Sequence, residues 1–117
     1  MAGVKVYFKP EVQFNGATHW VFEGIARAAV ALSSYGTVTI TSVLDGKHMQ
    51  GSLHHEGRAI DLRSKHIPRK DLLQAHASLK ASMGPDWDVL LEKQGLPNEH
   101  FHIEFQPKGT RAAVLGA

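Results

Sequence analysis

Short stretches of the chain alternate between apolar and polar side chains, which is the pattern of a half-buried strand. Residues Thr37 to Val43 read T-V-T-I-T-S-V, and residues Arg58 to Arg63 read R-A-I-D-L-R. Alternation with β-branched residues favours strands at both places. Residues Trp87 to Leu91 and His100 to Gln106 are also predicted as strands, and Val4 to Phe8 could add a short one.

Two other stretches carry apolar residues at helical spacing. The first extends from Trp20 to Leu32 and follows Thr18, a candidate N-cap. The second extends from Pro68 to Met83, and proline is tolerated near the start of a helix. Two helices with several strands, some joined by short turns, predict an α+β fold in which helices pack on one largely antiparallel sheet.

The length of 117 residues fits a single domain, with a loose tail over 107–117. The net charge of +2, from scattered basic residues, gives no reason to expect binding to nucleic acid. The longest apolar stretch is too short to cross a bilayer, and the N-terminus does not resemble a secretory signal. We therefore expect a monomer without membrane insertion that starts out in the cytoplasm.

Two short segments combine histidines with acidic residues, and they carry the candidate chemistry. They read S-L-H-H-E-G-R-A-I-D over 52–61 and E-H-F-H-I-E-F over 99–105. In the second segment, His100, His102 and Glu104 share one face of a strand, and the apolar residues between them share the other. The chain has no cysteine, so any metal ion must bind to His, Asp or Glu.

A catalytic zinc ion usually takes three protein ligands and leaves one position open. His54, Asp61 and one of the two histidines of H-F-H would supply such a set. Asp61 lies on a predicted strand, where an uncompensated buried carboxylate would cost roughly several kcal/mol. Gly57 could allow a sharp turn or a close backbone approach that brings His54 over the site. Glu99 is a candidate general base, three residues before His102.

The two segments together resemble the zinc D-alanyl-D-alanine metallopeptidases, which are grouped with lysostaphin-type peptidases and the hedgehog signalling domain. The matching pattern is S-x-H-x-x-G-x-A-x-D followed by E-x-x-H within H-x-H, and the matching residues are Ser52, His54, Gly57, Ala59, Asp61, Glu99, His100 and His102. The order of elements over residues 37–106 also fits. The paired motif is fairly specific, whereas either half alone is weak.

The resemblance implies the hedgehog-like fold, one Zn²⁺ on His54, Asp61 and His102, and Glu99 as the general base. It also implies hydrolysis of the stem peptides of bacterial peptidoglycan, by a carboxypeptidase or an endopeptidase such as those in phage lysins. His100 would then be a neighbour that stabilises the transition state by hydrogen bonding. Such an enzyme would reach the cell wall if a holin released it or a virion carried it.

One feature departs from the family pattern and affects substrate binding. The family commonly has an arginine shortly after the first strand, but residues 41–47 read T-S-V-L-D-G-K. Lys47 could replace it as a point charge, although a lysine lacks the bidentate fork of arginine. Ser52 could bind substrate by a hydrogen bond or only shape the turn.

Other interpretations remain open from the sequence. His100 could be the ligand in place of His102, and Glu99 could be a solvated glutamate in a turn. The chain could also be a zinc-binding module without catalysis, such as a virion component, or a cytosolic dipeptidase that hydrolyses D-alanyl-D-alanine.

Overall fold

One mixed five-stranded sheet forms the framework of the protein. The computed structural model describes residues 4–43 and 57–107. The strands are β1 (Val6–Phe8), β2 (Val38–Ser42), β3 (Ala59–Arg63), β4 (Trp87–Glu92) and β5 (His100–Phe105). Their order in the sheet is β1-β2-β3-β5-β4. Strand β1 is parallel to β2 and every other pair is antiparallel, which confirms the predicted α+β class and the largely antiparallel sheet.

Two α-helices, α1 (His19–Ala31) and α2 (Leu72–Met83), pack against each other and against the sheet. Helix α2 begins four residues later than the sequence pattern predicted, because Arg69–Asp71 forms a turn of 3₁₀ helix instead. This tighter turn aims the Arg69 guanidinium at the carbonyl oxygens of Ser64 and Ile67, each 3.0 Å away. The first residues of the predicted helix therefore hold the Arg69 guanidinium, which also contacts Glu99 of the second motif.

Thr18 occupies the N-cap position of α1, as predicted, but its side chain does not cap the helix. Its hydroxyl donates a hydrogen bond to the Gly57 carbonyl oxygen at 2.7 Å, and its backbone N–H donates to the same oxygen at 3.0 Å. The start of α1 is therefore tied to the chain just before β3.

The two faces of the sheet differ in the way that the alternation predicted. Ile60 and Leu62 of β3, with Phe101 and Ile103 of β5, are completely buried in the core beneath the helices. Asp61 and His102, which alternate with them in sequence, point to the opposite face of the sheet. None of the helices in the described part of the chain is long and apolar enough to cross a membrane.

Candidate metal centre

Strands β3 and β5 are antiparallel neighbours, and their pairing brings the two sequence motifs together. In this register Asp61 lies opposite His102, and Arg63 lies opposite His100. Directly opposite residues on one face of a sheet have side chains in contact range. The sequence could not give this register, which depends on pairing between segments about forty residues apart.

The predicted ligands Asp61 and His102 are in direct contact. The Nδ1 atom of His102 lies 2.9 Å from Asp61 Oδ1, and both side chains are nearly buried, at 11% and 13% exposed. Two ligand atoms on one tetrahedral zinc ion, each at about 2.0–2.1 Å from it, lie roughly 3.3 Å apart. The pair is therefore close to the spacing that shared zinc coordination needs.

The other ring nitrogen of His102 faces a second carboxylate. Its Nε2 lies 2.6 Å from Glu104 Oε1, and the Gln106 side-chain N–H donates to Glu104 Oε2 at 2.8 Å. Burial of the imidazole lowers its pKa, but the hydrogen bonds and charges of Asp61 and Glu104 outweigh burial and raise the pKa of His102 to about 10. The metal-free chain therefore carries an imidazolium that donates a hydrogen bond to each carboxylate.

His100 lies on the same face but nearer to solvent, with its side chain 24% exposed. Its Nε2 is 3.1 Å from Glu92 Oε1 and 3.8 Å from Asp61 Oδ1, while its Nδ1 donates to the Asn98 carbonyl oxygen at 2.8 Å. His102 is thus the histidine in direct contact with Asp61, and His100 is a neighbour at the outer edge of the pair.

Glu99 immediately precedes β5, at the start of the strand where the sequence placed it, but it is not a solvated turn residue. Its side chain is fully buried, which makes the solvated alternative wrong. Its carboxylate accepts hydrogen bonds from the Gly95 backbone N–H at 2.8 Å, the Ser64 hydroxyl at 2.5 Å, and the Arg69 guanidinium at 2.8 and 3.0 Å.

These contacts determine the acidity of Glu99. Burial raises the pKa of the carboxyl, but the bonds from Gly95, Ser64 and Arg69, together with the charge of Arg69, lower it to about 2. A carboxylate with so low a pKa is a weak proton acceptor at neutral pH. Its contacts hold the turn at 95–99 against the segment that follows β3.

An open cleft of about 330 Å³ lies beside the Asp61 carboxylate. It is lined by Lys9, Thr41, Asp61, Arg63, Lys65, Pro97, Asn98, Glu99 and His100. Lys9 is paired with Glu11 at 3.0 Å. Among residues 4–43 and 57–107, neither Arg63 nor Lys65 forms an ion pair. The predicted site residues Asp61, Glu99 and His100 thus line the same cleft, and the cationic side chains of Arg63 and Lys65 line it with them.

Three predicted residues, Lys47, Ser52 and His54, lie outside the described residues, as does most of the predicted loose tail. Within the described ranges, no group of three or more His, Asp or Glu side chains has a geometry that could hold a metal ion. Of the three predicted ligands, the described residues therefore include Asp61 and His102, while the role of His54 stays a prediction.

The motif glycine has a clear structural role. Gly57 has a φ of +71°, and a Cβ atom on it would lie 2.4 Å from the Gly16 carbonyl oxygen. Glycine alone tolerates both the left-handed backbone and this contact. The close backbone approach expected at Gly57 is therefore confirmed, whereas its effect on His54 stays a prediction.

Sequence reasoning missed several side chains that support the site. Glu104 lies on the same strand face as both histidines, so the alternation contained a signal for its contact with His102. Ser64 and Arg69 gave no such signal, because their contacts with Glu99 depend on the turn before α2. Arg63 is exposed to solvent, and its position two residues after Asp61 places it on the same face of β3.

Comparison with known proteins adds no assignment to these observations. No protein-family model matches the sequence, and a search of curated proteins found no similar sequence.

Proposed function

We propose that the chain is a zinc-dependent peptidase that hydrolyses peptide bonds of bacterial cell-wall peptidoglycan, with a hedgehog-like or D-Ala-D-Ala-peptidase-like fold. The observation that supports this most is the contact of Asp61 Oδ1 with His102 Nδ1 at 2.9 Å. The sequence motif named both residues as ligands, and they come from segments about forty residues apart. Their meeting on adjacent strands is what a shared ion requires.

The donor set fits zinc. A carboxylate oxygen and an imidazole nitrogen are ordinary zinc ligands, and His54 would complete three protein ligands with one open position. Zinc in such a set would polarise the scissile carbonyl group and make water a better nucleophile at neutral pH. The same donors could also hold another divalent ion.

The remaining side chains have roles that follow from their positions. His100 is partly exposed, and its Nε2 lies 3.8 Å from the Asp61 carboxylate. When both ring nitrogens carry a proton, the Nε2–H, which faces Glu92 in the free chain, can be donated to the oxygen of a substrate carbonyl beside the ligand pair. Glu99 would take a proton from the attacking water and return it to the leaving amine. Since its carboxylate accepts four hydrogen bonds, this role requires that Arg69 or Ser64 release it when substrate binds.

The cleft also bears on the substrate. Arg63 and Lys65 place two positive charges beside Asp61, where they would attract the carboxylates of a stem peptide. They are available in addition to Lys47, the cation that the sequence suggested. Replacement of both by Gln should raise KM for an anionic peptide more than it lowers kcat, whereas Lys80→Gln on α2 should change neither. Unchanged kinetics in the double variant would show that these cations do not bind substrate.

The metal content of the purified protein tests whether the proposed zinc site exists. Elemental analysis of protein purified without chelator should find about one zinc ion per chain. His54→Ala and Asp61→Asn should each reduce this content, and His76→Ala, a change of a histidine distant in sequence from both motifs, should not. Absence of zinc from the wild type, without uptake when zinc is added, would overturn the proposal.

Assays on purified peptidoglycan test whether the protein catalyses the proposed hydrolysis. The wild type should release new amino groups from purified peptidoglycan, and His102→Ala should release none. Parallel assays on free D-alanyl-D-alanine separate a wall hydrolase from a dipeptidase. Glu99→Gln should keep zinc and lose most of the rate. If it keeps the full rate, Glu99 is not the base.

The bonding of Glu99 favours a second candidate function, a zinc-binding module without catalysis. A glutamate whose pKa is about 2 and whose side chain is fully buried is suited to stabilising a turn. Zinc binding by the wild type with no hydrolysis of peptidoglycan or of the dipeptide would support this module and exclude the peptidase.

A further inference from the structure

We propose that Glu104 is the positioning residue for His102: it accepts the Nε2–H of the imidazole and so presents Nδ1 to the metal beside Asp61. This inference rests on the proposed zinc site. It assigns a role to a residue that the sequence motif does not include.

The geometry of Glu104 is fixed at both carboxylate oxygens. Oε1 lies 2.6 Å from His102 Nε2, and Oε2 accepts a hydrogen bond from the Gln106 side chain at 2.8 Å. The side chain is only 16% exposed. Glu104 lies two residues after His102 on β5, so both side chains share one face of the strand. Gln106, Glu104, His102 and Asp61 thus form one continuous chain of hydrogen bonds.

The two nitrogens of His102 have different tasks in a metal complex. The ligand nitrogen must offer a lone pair, so the ring must keep its single proton on the other nitrogen. Because Glu104 is an acceptor at Nε2, it favours the tautomer with the proton there and leaves Nδ1 free for the ion. A carboxylate in this position also makes the ligand nitrogen more basic and fixes the orientation of the ring.

Glu92 provides a matched control. Its Oε1 lies 4.0 Å from the same imidazole, on the Nδ1 side, and 3.1 Å from His100 Nε2. It carries the same charge on the same polar region but makes no hydrogen bond to Nε2 of His102. An effect of negative charge alone would appear in both Glu92 and Glu104 variants, whereas positioning requires Glu104.

The test is the zinc dissociation constant, measured by competition with a chelator, for the wild type, Glu104→Gln, Glu104→Ala and Glu92→Gln. Loss of an outer-shell carboxylate typically weakens metal binding about 10–100-fold, and we expect a weakening in this range for Glu104→Ala. The zinc dissociation constant of Glu104→Gln should lie between those of the wild type and Glu104→Ala, because the amide oxygen still accepts a hydrogen bond from Nε2–H. Glu92→Gln should change affinity by less than about threefold, since its charge is more exposed and screened.

A second readout separates positioning from a general loss of stability. In the zinc-loaded wild type, proton NMR should show the Nε2–H of His102 as a slowly exchanging, low-field resonance, because it is held by a carboxylate. The resonance should shift to higher field in Glu104→Gln, which preserves the size of the side chain and serves if Glu104→Ala does not fold. Circular dichroism of each metal-free variant verifies the fold.

The possible outcomes are distinct. Zinc binding by the wild type with unchanged affinity in Glu104→Ala, or with an unshifted resonance in Glu104→Gln, overturns the role of Glu104 and leaves the proposed function standing. Equal losses in Glu92→Gln and Glu104→Gln overturn it in favour of a general charge effect. Failure of the wild type to bind zinc overturns the proposed function and this inference together.

Discussion

His102 lies between two carboxylates, with Asp61 at Nδ1 and Glu104 at Nε2. In the metal-free chain this arrangement holds a proton on each ring nitrogen, since the pKa is raised to about 10. A metal ion at Nδ1 would have to displace one of these protons. Zinc binding at neutral pH should therefore release a proton and strengthen as the pH rises.

The raised pKa of His102 also predicts how the stability of the metal-free chain depends on pH. A group whose pKa is higher in the folded than in the unfolded state stabilises the fold fully below its unfolded value, 6.5 here, and loses this effect as pH rises through about 10. With a discount for solvent screening, the loss is on the order of 1–3 kcal/mol. Urea unfolding with EDTA at pH 6, 8 and 10 measures it.

Other groups titrate in the same range, so the comparison with His102→Gln isolates the effect. The variant should be less stable than the wild type at pH 6, and the difference should shrink toward pH 10. Parallel curves for the two proteins would contradict the assignment of the raised pKa to His102.

The lowered pKa of Glu99 predicts the opposite trend: its contribution to the stability of the fold decreases as the pH falls into the acid range. Its pKa is lowered from 4.5 to about 2, so its stabilisation is fully present above 4.5 and is lost as pH falls through about 2. Glu99→Gln should destabilise the fold by about 1–3 kcal/mol at pH 7, because a side-chain amide N–H would face donors from Arg69 or Gly95. Urea unfolding at pH 7 and pH 3 measures both effects.

A surface ion pair supplies the control for Glu99. Glu23 pairs with Arg27 at 2.6 Å on α1, with both side chains more than a third exposed. Glu23→Gln should cost less than about 1 kcal/mol at pH 7. Equal costs for the two variants would show that the buried bonds of Glu99 do not stabilise the turn.

At the scale of elements, strand β5 was the most predictable part of the site. The alternation of apolar and polar residues along β5 predicted which side chains share a face. The structure confirms a buried apolar face and a polar face with His100 and His102. The start of α2 was less predictable, because Arg69 leaves the helical pattern to bond with Glu99. That bond joins residues 30 apart in the chain, and periodicity within one segment contains no information about it.

The junction between α1 and β3 depends on Gly57. A side chain there would strain the left-handed backbone, by roughly 1–2 kcal/mol, and would also collide with the Gly16 carbonyl oxygen. Gly57→Ala should therefore destabilise the fold by roughly 2–4 kcal/mol and loosen the Thr18 contact. Denaturant unfolding measures the loss in free energy.

A substitution at Gly95 measures the cost of backbone strain without the cost of a steric collision. Gly95 also has a positive φ, +80°, but nothing lies within 4 Å of the position of its Cβ. Gly95→Ala should cost only the strain, about 1–2 kcal/mol. A cost for Gly57→Ala no larger than that for Gly95→Ala would show that the close approach to Gly16 contributes nothing.

At the scale of the whole molecule, the sheet has a core face beneath two helices and a polar face with the candidate site. The α+β class, most element positions and the division of the faces were predictable, because each follows from periodicity within a segment. The pairing of Asp61 with His102, the anchoring of Glu99 and the cations of the cleft were not, since they depend on strand order and on turns between distant segments. The zinc ion and the reaction stay predictions.

Binding of an ion at this face predicts a change in the stability of the entire fold. Asp61 and His102 lie on the neighbouring interior strands β3 and β5, so a ligand that joins them opposes the separation of these strands on unfolding. At a free zinc concentration about 100 times Kd, the linkage adds about 2.7 kcal/mol. For a chain of this size this corresponds to a rise in Tm of roughly 8–16 °C. Calorimetry with added zinc and with EDTA measures it.

The source of the rise is identified by variants. In His54→Ala the rise should be smaller if His54 is the third ligand, and in Asp61→Asn it should nearly vanish, because a carboxylate is replaced by a much weaker donor. Lys80→Gln should keep the full rise. The same Tm for the wild type in zinc and in EDTA would mean that Asp61 and His102 form only a buried ion pair, and that the resemblance of the two motifs to a metallopeptidase has no chemical counterpart in this chain.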